Sequence, residues 1–152
     1  MARDEAADAG KDDNTTPVKR APENMIVGRA GEALAADYLQ AQGYEITGRN
    51  IRCELGEIDL IATRNEYLVF VEVKTRSKAS GYHPTLAITA AKKKKLRELG
   101  AWYLAQHPPR QPMQPRFDVV TVVLAPKGGK KNRPDKDVGT NEAEVIHYPN
   151  AF

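Results

Sequence analysis

The chain has 152 residues, of which 41% are hydrophobic and 28% charged, and its formal net charge is +3. This length fits one domain of ordinary size and excludes two large ones, and so small a net charge does not by itself indicate a nucleic-acid-binding protein. The single cysteine, Cys53, excludes an intramolecular disulfide, and no apolar run approaches the length of a membrane span. The N-terminal region also lacks an apolar stretch of the signal-peptide type, so a cytoplasmic protein without membrane contact is expected.

Composition separates the ends of the chain from its middle. Residues 1–24 contain few large apolar side chains, so we predict a disordered N-terminal extension. Residues 25–152 are predicted to form a single domain, interrupted at 126–141 by a flexible loop rich in Lys, Gly, Pro and Asp. Acidic side chains are in excess in the extension and basic ones over residues 25–125, so the extension masks a basic middle section.

The first predicted element is a helix over residues 25–42. Gly43 follows it in the place of a C-cap glycine. Glu32 lies on this helix. Apolar residues recur along it at three- and four-residue spacing, at Val27, Ala30, Leu34, Tyr38 and Ala41.

Three strands are predicted next, over residues 44–52, 57–63 and 67–75. The first alternates weakly and the third is apolar on both faces, as in a buried strand. Asn65 and Glu66 suit a tight turn between the second and third strands, which are therefore expected to be antiparallel neighbours. The second strand alternates clearly, with Ile58, Leu60 and Ala62 predicted on one face and Glu57, Asp59 and Ile61 on the other.

The second half of the chain is predicted to add a loop over 76–87, a helix over 90–106 and strands over 117–124 and 143–148. Thr89 suits the N-cap of this helix, and two prolines follow its last residue. The predicted apolar side of the helix consists of Leu96, Leu99, Tyr103 and Leu104. The order α-β-β-β-α-β-β predicts an α/β fold with a mixed sheet flanked by helices.

Charged residues inside the apolar strands are the main functional signal. Glu72 and Lys74 are two residues apart in the third strand and so share a face, and Asp59 lies on the neighbouring strand. Buried ionised groups persist when they are paired or bind a metal. One interpretation is a structural salt bridge from Lys74 to Glu72 or Asp59. The other is a catalytic site, in which the two carboxylates hold Mg²⁺ or Mn²⁺ and Lys74 stabilises charge on a phosphate during phosphodiester hydrolysis.

The pattern Asp59 followed by Glu72-Val73-Lys74 resembles the signature of the PD-(D/E)xK nuclease superfamily, although Ile58 stands where that signature has proline. A longer set of motifs, spread between about Val27 and Leu124, resembles the YraN family of small bacterial proteins. These motifs are Gly28-Arg29-Ala30-Gly31-Glu32, Gly43-Tyr44, Arg49-Asn50-Ile51-Arg52, Gly56-Glu57-Ile58-Asp59-Leu60-Ile61 and Val69-Phe70-Val71-Glu72-Val73-Lys74-Thr75-Arg76.

The resemblance implies a restriction-endonuclease-like α-β-β-β-α-β core, similar to that of archaeal Holliday-junction resolvases. It adds Glu32 as a metal ligand beside Asp59 and Glu72. It implies a metal-dependent endonuclease acting on DNA, including branched DNA, with Asp59, Glu72 and Lys74 as the catalytic residues. Resolvases of this type act as symmetric dimers, so a homodimer is also implied, although no apolar stripe in the sequence marks a dimer face. A catalytically idle nucleic-acid-binding module and a protein-interaction adaptor are the alternatives.

Basic residues near the predicted site are the candidates for phosphate contacts. Arg49, Arg52 and Arg76 lie near strand ends, where they suit phosphate positioning or plain surface charge. Lys92 begins a run of four lysines that covers a full helical turn, so the four cannot all face one partner; Lys92 is favoured because it matches a basic position in the family. No ligand spacing relates the three histidines, which we interpret as incidental: His83, His107 and His147.

Overall fold

The computed structural model describes residues 23–77, 88–125 and 143–152. The predicted loop at 126–141, residues 1–22 of the predicted extension, and His83 lie outside these ranges. The elements are α1 (Glu23–Ala41), β1 (Glu45–Cys53), β2 (Gly56–Arg64), β3 (Tyr67–Ser77), α2 (Ala90–Gln106), β4 (Gln114–Leu124) and β5 (Glu144–Tyr148). Neither of these two helices combines the length and apolar content that a membrane crossing requires.

The strands form one five-stranded sheet in the order β1-β2-β3-β4-β5. The pairs β1–β2, β2–β3 and β4–β5 are antiparallel, while α2 crosses over between the parallel strands β3 and β4. The predicted element order and mixed sheet are confirmed. The predicted tight turn is confirmed too: Arg64 pairs with Tyr67, and Asn65 adopts a φ of 51° between them.

Among the described residues, each face of the sheet is covered by one helix. The face under α1 contains Val69 and Val71 of β3, packed with Leu39 of the helix. The opposite face, under α2, contains Leu68 and Phe70. Alternate residues of β3 therefore pack into different cores, which explains why the sequence of this strand is a continuous apolar run.

Two predicted faces are wrong in detail. The buried side of α1 is offset from the predicted apolar stripe: Ala30 and Ala41 are exposed, and the buried positions are Gly31, Ala35, Ala36 and Leu39. Small residues at three of these positions let the helix lie close to the sheet.

In β2, Ile58 packs with Ile61 under α2 and not with Leu60 and Ala62. The regular alternation therefore breaks between Ile58 and Ile61, where Asp59 lies.

Candidate functional site

Asp59 and Glu72 lie side by side where the β2–β3 pairing ends. The register of that pair runs from Arg64 opposite Tyr67 to Leu60 opposite Val71, and Asp59 and Glu72 are the next residue on each strand. The Asp59 Oδ2 accepts a hydrogen bond from the backbone N–H of Val73 at 2.7 Å. The predicted neighbourhood of the two carboxylates is therefore present, and it is fixed by the backbone of the strand that carries Glu72.

The Asp59 carboxyl group lies in an unfavourable place for a negative charge. Burial, and next the charge of Glu72, raise the pKa of Asp59 from 3.8 to about 7. The Val73 N–H opposes this shift, the charge of Glu32 adds to it, and the charge of Lys92 opposes it. The negative charges of Glu72 and Glu32 therefore both act on Asp59 here.

Glu72 is almost buried and forms an ion pair with a residue of the second helix. Its Oε1 lies 3.0 Å from the Nζ of Lys92, which is in the first turn of α2. From the sequence, Lys74 is the residue predicted to neutralise the carboxylates, and Lys92 is predicted only to contact a phosphate. The structure places Lys92 directly on Glu72 as well. Lys74 is half-buried and, by strand alternation, lies on the α2 face together with Glu72.

Glu32 approaches the site from α1 and lines three neighbouring surface recesses. Its Oε2 accepts a hydrogen bond from Asn50 Nδ2 at 2.6 Å. Asn50 belongs to β1 and has a φ of 49°, so this strand is distorted where it meets Glu32. Within the described residues, no three carboxylate, histidine or cysteine side chains are grouped closely enough to hold one metal ion. Glu32 as a direct ligand stays a prediction.

The carboxylate oxygens of Asp59 and Glu72 are nevertheless chemically suitable ligands for a divalent cation. Mg²⁺ and Mn²⁺ take oxygen ligands, and two neighbouring carboxylates supply them. Burial and mutual repulsion make the ionised form of Asp59 costly, as its raised pKa shows, and a bound cation removes both costs. Mg²⁺ typically keeps several water ligands and is bound in many proteins by one or two carboxylates together with substrate phosphates, and a pair of carboxylates matches the protein part of such a site.

The predicted phosphate-binding arginines surround Glu32. Arg52, Arg49 and Arg76 each line a different one of its three recesses. All three are exposed, and the Arg52 Nε is held 3.0 Å from Glu57 Oε2. The three arginines, one of which is paired with Glu57, therefore form a basic margin around Glu32.

A second buried charge cluster, which was not predicted from the sequence, lies near the middle of β4. Asp118 is completely buried and accepts bonds from Arg116 Nε and Nη2 at 2.9 and 2.7 Å, from His147 Nε2 at 2.8 Å and from the Asn150 N–H at 2.9 Å. Arg116 also donates to the Tyr44 hydroxyl at 2.8 Å. His147 is therefore not incidental. The missed signal was Asp118 itself, a charge between Phe117 and Val119 in an apolar strand.

Hydrogen bonding makes this second cluster structural. Burial acts to raise the pKa of Asp118, but hydrogen bonds from His147, Arg116 and Asn150 outweigh it and lower the pKa. Asp118 is thus saturated with donors and surrounded by basic groups, whereas Asp59 lies among acids. Of these two aspartates, Asp59 is the one whose surroundings favour a metal ion.

Over the described ranges, fold and site define an α/β protein with two helices on a mixed five-stranded sheet and a carboxylate–lysine cluster where two central strands stop pairing. The chain belongs to the uncharacterised protein family UPF0102, whose sequence profile matches residues 31–122. It is 42% identical over 130 residues to a UPF0102 protein of Syntrophotalea carbinolica, a match that covers 86% of this chain and 94% of that protein. It is 50% identical over 102 residues to a UPF0102 protein of Symbiobacterium thermophilum, covering 67% and 86%. The resemblance to the YraN family is thereby confirmed.

Proposed function

We propose that this protein is a metal-dependent endonuclease that hydrolyses phosphodiester bonds in DNA, including branched DNA. The observation that carries the proposal is the placement of Asp59, a half-buried carboxyl group beside Glu72 whose pKa is raised to about 7, so that a nearby positive charge would favour its ionised form. A restriction-endonuclease-like fold is part of the proposal, and the order of the helices and strands is compatible with it.

Each residue of the site has a defined task in this proposal. Asp59 and Glu72 would hold Mg²⁺ or Mn²⁺, and Glu32 would bind it through water. The bound cation would lower the pKa of a water molecule and neutralise charge on the scissile phosphate. Lys74 would donate to the phosphate oxygens as negative charge develops on them. Contacts to neighbouring phosphates, which position the DNA without reading its sequence, would come from Arg49, Arg52, Arg76 and Lys92.

A catalytically idle nucleic-acid-binding protein is the second candidate. It is favoured by the absence, over the described ranges, of a compact group of three or more metal-ligating side chains. In this case the basic margin around Glu32 would bind DNA, and the acidic centre would contribute no chemistry. Such a protein shows salt-dependent DNA binding without cleavage under any divalent metal.

The test is a cleavage assay on four-way junction, flap, single-stranded and plasmid DNA with Mg²⁺, with Mn²⁺ and with EDTA. We expect metal-dependent cleavage that is abolished in both Asp59→Asn and Lys74→Met. Cleavage that continues in these variants would assign the activity to a contaminant or to another site. Binding without cleavage, with every metal and substrate, would establish the idle protein.

Asp118→Asn is unsuitable as a control because it breaks a buried ion pair. A matched control is Glu98→Gln, which removes a carboxylate from the exposed side of α2. This variant is expected to cleave DNA at the wild-type rate, since its change in net charge equals that of Asp59→Asn and lies outside the site.

A further inference from the structure

Lys92 occupies a position between the acidic site and solvent. Its backbone N–H donates to Thr89 Oγ1 at 3.2 Å, so the first turn of α2 holds its Cα in place. Its Nζ lies 3.0 Å from Glu72 Oε1. The Lys92 side chain is 45% exposed, whereas that of Glu72 is 11% exposed. Glu72 is thus fixed in the site, while the lysine reaches it from outside and can leave without unfolding the helix.

The positive charge of Lys92 acts on both carboxylates. It forms the ion pair with Glu72 and also interacts electrostatically with Asp59. These are the two groups assigned to the divalent cation. An ammonium group and a metal ion cannot both contact the same carboxylate oxygen without strong mutual repulsion.

We propose that Lys92 is an internal counter-cation that neutralises the carboxylate site while it is empty and is displaced from Glu72 when a divalent cation binds. This inference rests on the proposed metal-dependent function and describes the regulation of that site. The displaced ammonium group is then available to a DNA phosphate, so a new phosphate contact forms only when the metal is in place. Metal binding and DNA binding are coupled through this one side chain, and the coupling is reciprocal.

Neighbouring lysines have other environments, which makes them internal controls. Lys94 is 81% exposed and lies 4.0 Å from Glu98 on its own helix. Lys93 lies 5.8 Å from the centre of the Phe152 ring. Neither of these two contacts involves the carboxylate site. The proposal therefore predicts that metal affects Lys92 and leaves Lys94 unaffected.

The first experiment measures Mn²⁺ affinity by titration calorimetry. Lys92→Met, which keeps much of the length of the side chain and removes its charge, is expected to bind Mn²⁺ about two- to fivefold more tightly than the wild type, the size expected for a partly exposed ion pair. Lys92→Arg retains the competing charge and is expected to be close to wild type, as is Lys94→Met. An unchanged or weaker affinity in Lys92→Met overturns the proposal.

The main measurement of the second experiment is made on the wild-type protein, so it does not depend on whether a variant folds. The rate at which an acetylating reagent modifies each lysine is measured by mass spectrometry, with and without Mg²⁺. Mg²⁺ is expected to raise the rate at Lys92 severalfold relative to Lys94, and a DNA duplex added with Ca²⁺ in place of Mg²⁺ is expected to lower it again. In Glu72→Gln the Lys92 rate should be high from the start and insensitive to metal.

The two proposals fail in different ways. If neither the wild type nor Lys92→Met binds Mn²⁺, the metal-dependent function is wrong and this inference is wrong with it. If the wild type binds Mn²⁺ but the Lys92 acetylation rate does not respond to metal, only the counter-cation role is overturned. If metal exposes Lys92 and DNA does not protect it, the phosphate contact is overturned.

Discussion

The Asp59 carboxylate of β2 is bonded to the backbone of Val73 in β3, with 2.7 Å between Oδ2 and the amide nitrogen. Val73 lies between Glu72 and Lys74, so this single hydrogen bond ties Asp59 to the segment that carries the other two proposed catalytic residues. The bond also satisfies an N–H group of the strand and limits the rotation of the carboxylate. The site is therefore preorganised by main-chain geometry.

The raised pKa of Asp59 makes the stability of the metal-free protein depend on pH. The carboxyl group ionises near 3.8 in the unfolded chain and at about 7 in the folded one. Between these values the folded state binds more protons, so this group lowers the free energy of unfolding as pH rises through that interval. In urea denaturation with EDTA, the free energy of unfolding of Asp59→Asn should rise relative to that of the wild type over this pH range. At higher pH it should exceed the wild-type value. A constant difference between the two would contradict the burial of the charge.

Divalent cations should reverse that loss of stability. In mildly alkaline buffer, a ligand that binds only the folded protein raises its melting temperature by mass action. We expect Mg²⁺ at concentrations well above Kd to raise the melting temperature of the wild type and not that of Asp59→Asn. Glu98→Gln serves as the charge-matched control. An equal rise in all three proteins would show that the cation binds elsewhere.

Asp59→Asn should stabilise the metal-free protein at higher pH, whereas substitution of Asp118 should destabilise the protein. Asp118→Ala leaves the mostly buried guanidinium of Arg116 without its carboxylate partner. Breaking a buried ion pair on one side costs about 3–5 kcal/mol, so we expect a loss of this order in urea denaturation at neutral pH. Because the Asp118 pKa is lowered, its contribution is present above the unfolded-state pKa of 3.8 and disappears as pH falls through the folded-state pKa. A loss below about 1 kcal/mol would mean that the pair is readily replaced by solvent.

Gly31 permits the close approach of α1 to β3. A Cβ at this position would collide with the Thr75 side chain, and Gly31→Ala should destabilise the protein by about 1–3 kcal/mol. Gly28, one turn earlier in the same helix, has open space where its Cβ would lie, so Gly28→Ala should stabilise by about 0.5–1 kcal/mol. Combining Gly31→Ala with Thr75→Ala should recover part of the loss. Equal effects of the two glycine substitutions would contradict the packing of α1.

The arginines around Glu32 should determine the salt dependence of DNA binding. Each phosphate contact contributes about one unit to the slope of log affinity against log salt concentration. We expect Arg49→Gln and Arg76→Gln together to reduce the slope by about two, measured by fluorescence anisotropy. Arg110→Gln removes an exposed arginine beyond the end of α2 and should leave the slope unchanged. A similar effect of Arg110→Gln would indicate diffuse charge attraction.

Local sequence patterns determined most of the secondary structure. Strand alternation, the Thr89 N-cap, Gly43 after the first helix and the turn at Asn65 are signals that act over a few residues, so they can be recognised without knowledge of the fold. The position of Asp59 beside Glu72 also followed, because a two-residue hairpin sets the register of its strands.

Tertiary structure decided everything that depends on distant neighbours. Two aspartates, Asp59 and Asp118, look alike in sequence, each a charge within an apolar strand. Only the packing brings Glu32 of α1 close to Asp59 and His147 of β5 onto Asp118. The Lys92–Glu72 ion pair likewise depends on where the crossover places α2. A pKa depends on burial and on every charge nearby in space, and these are fixed only when the helices dock on the sheet.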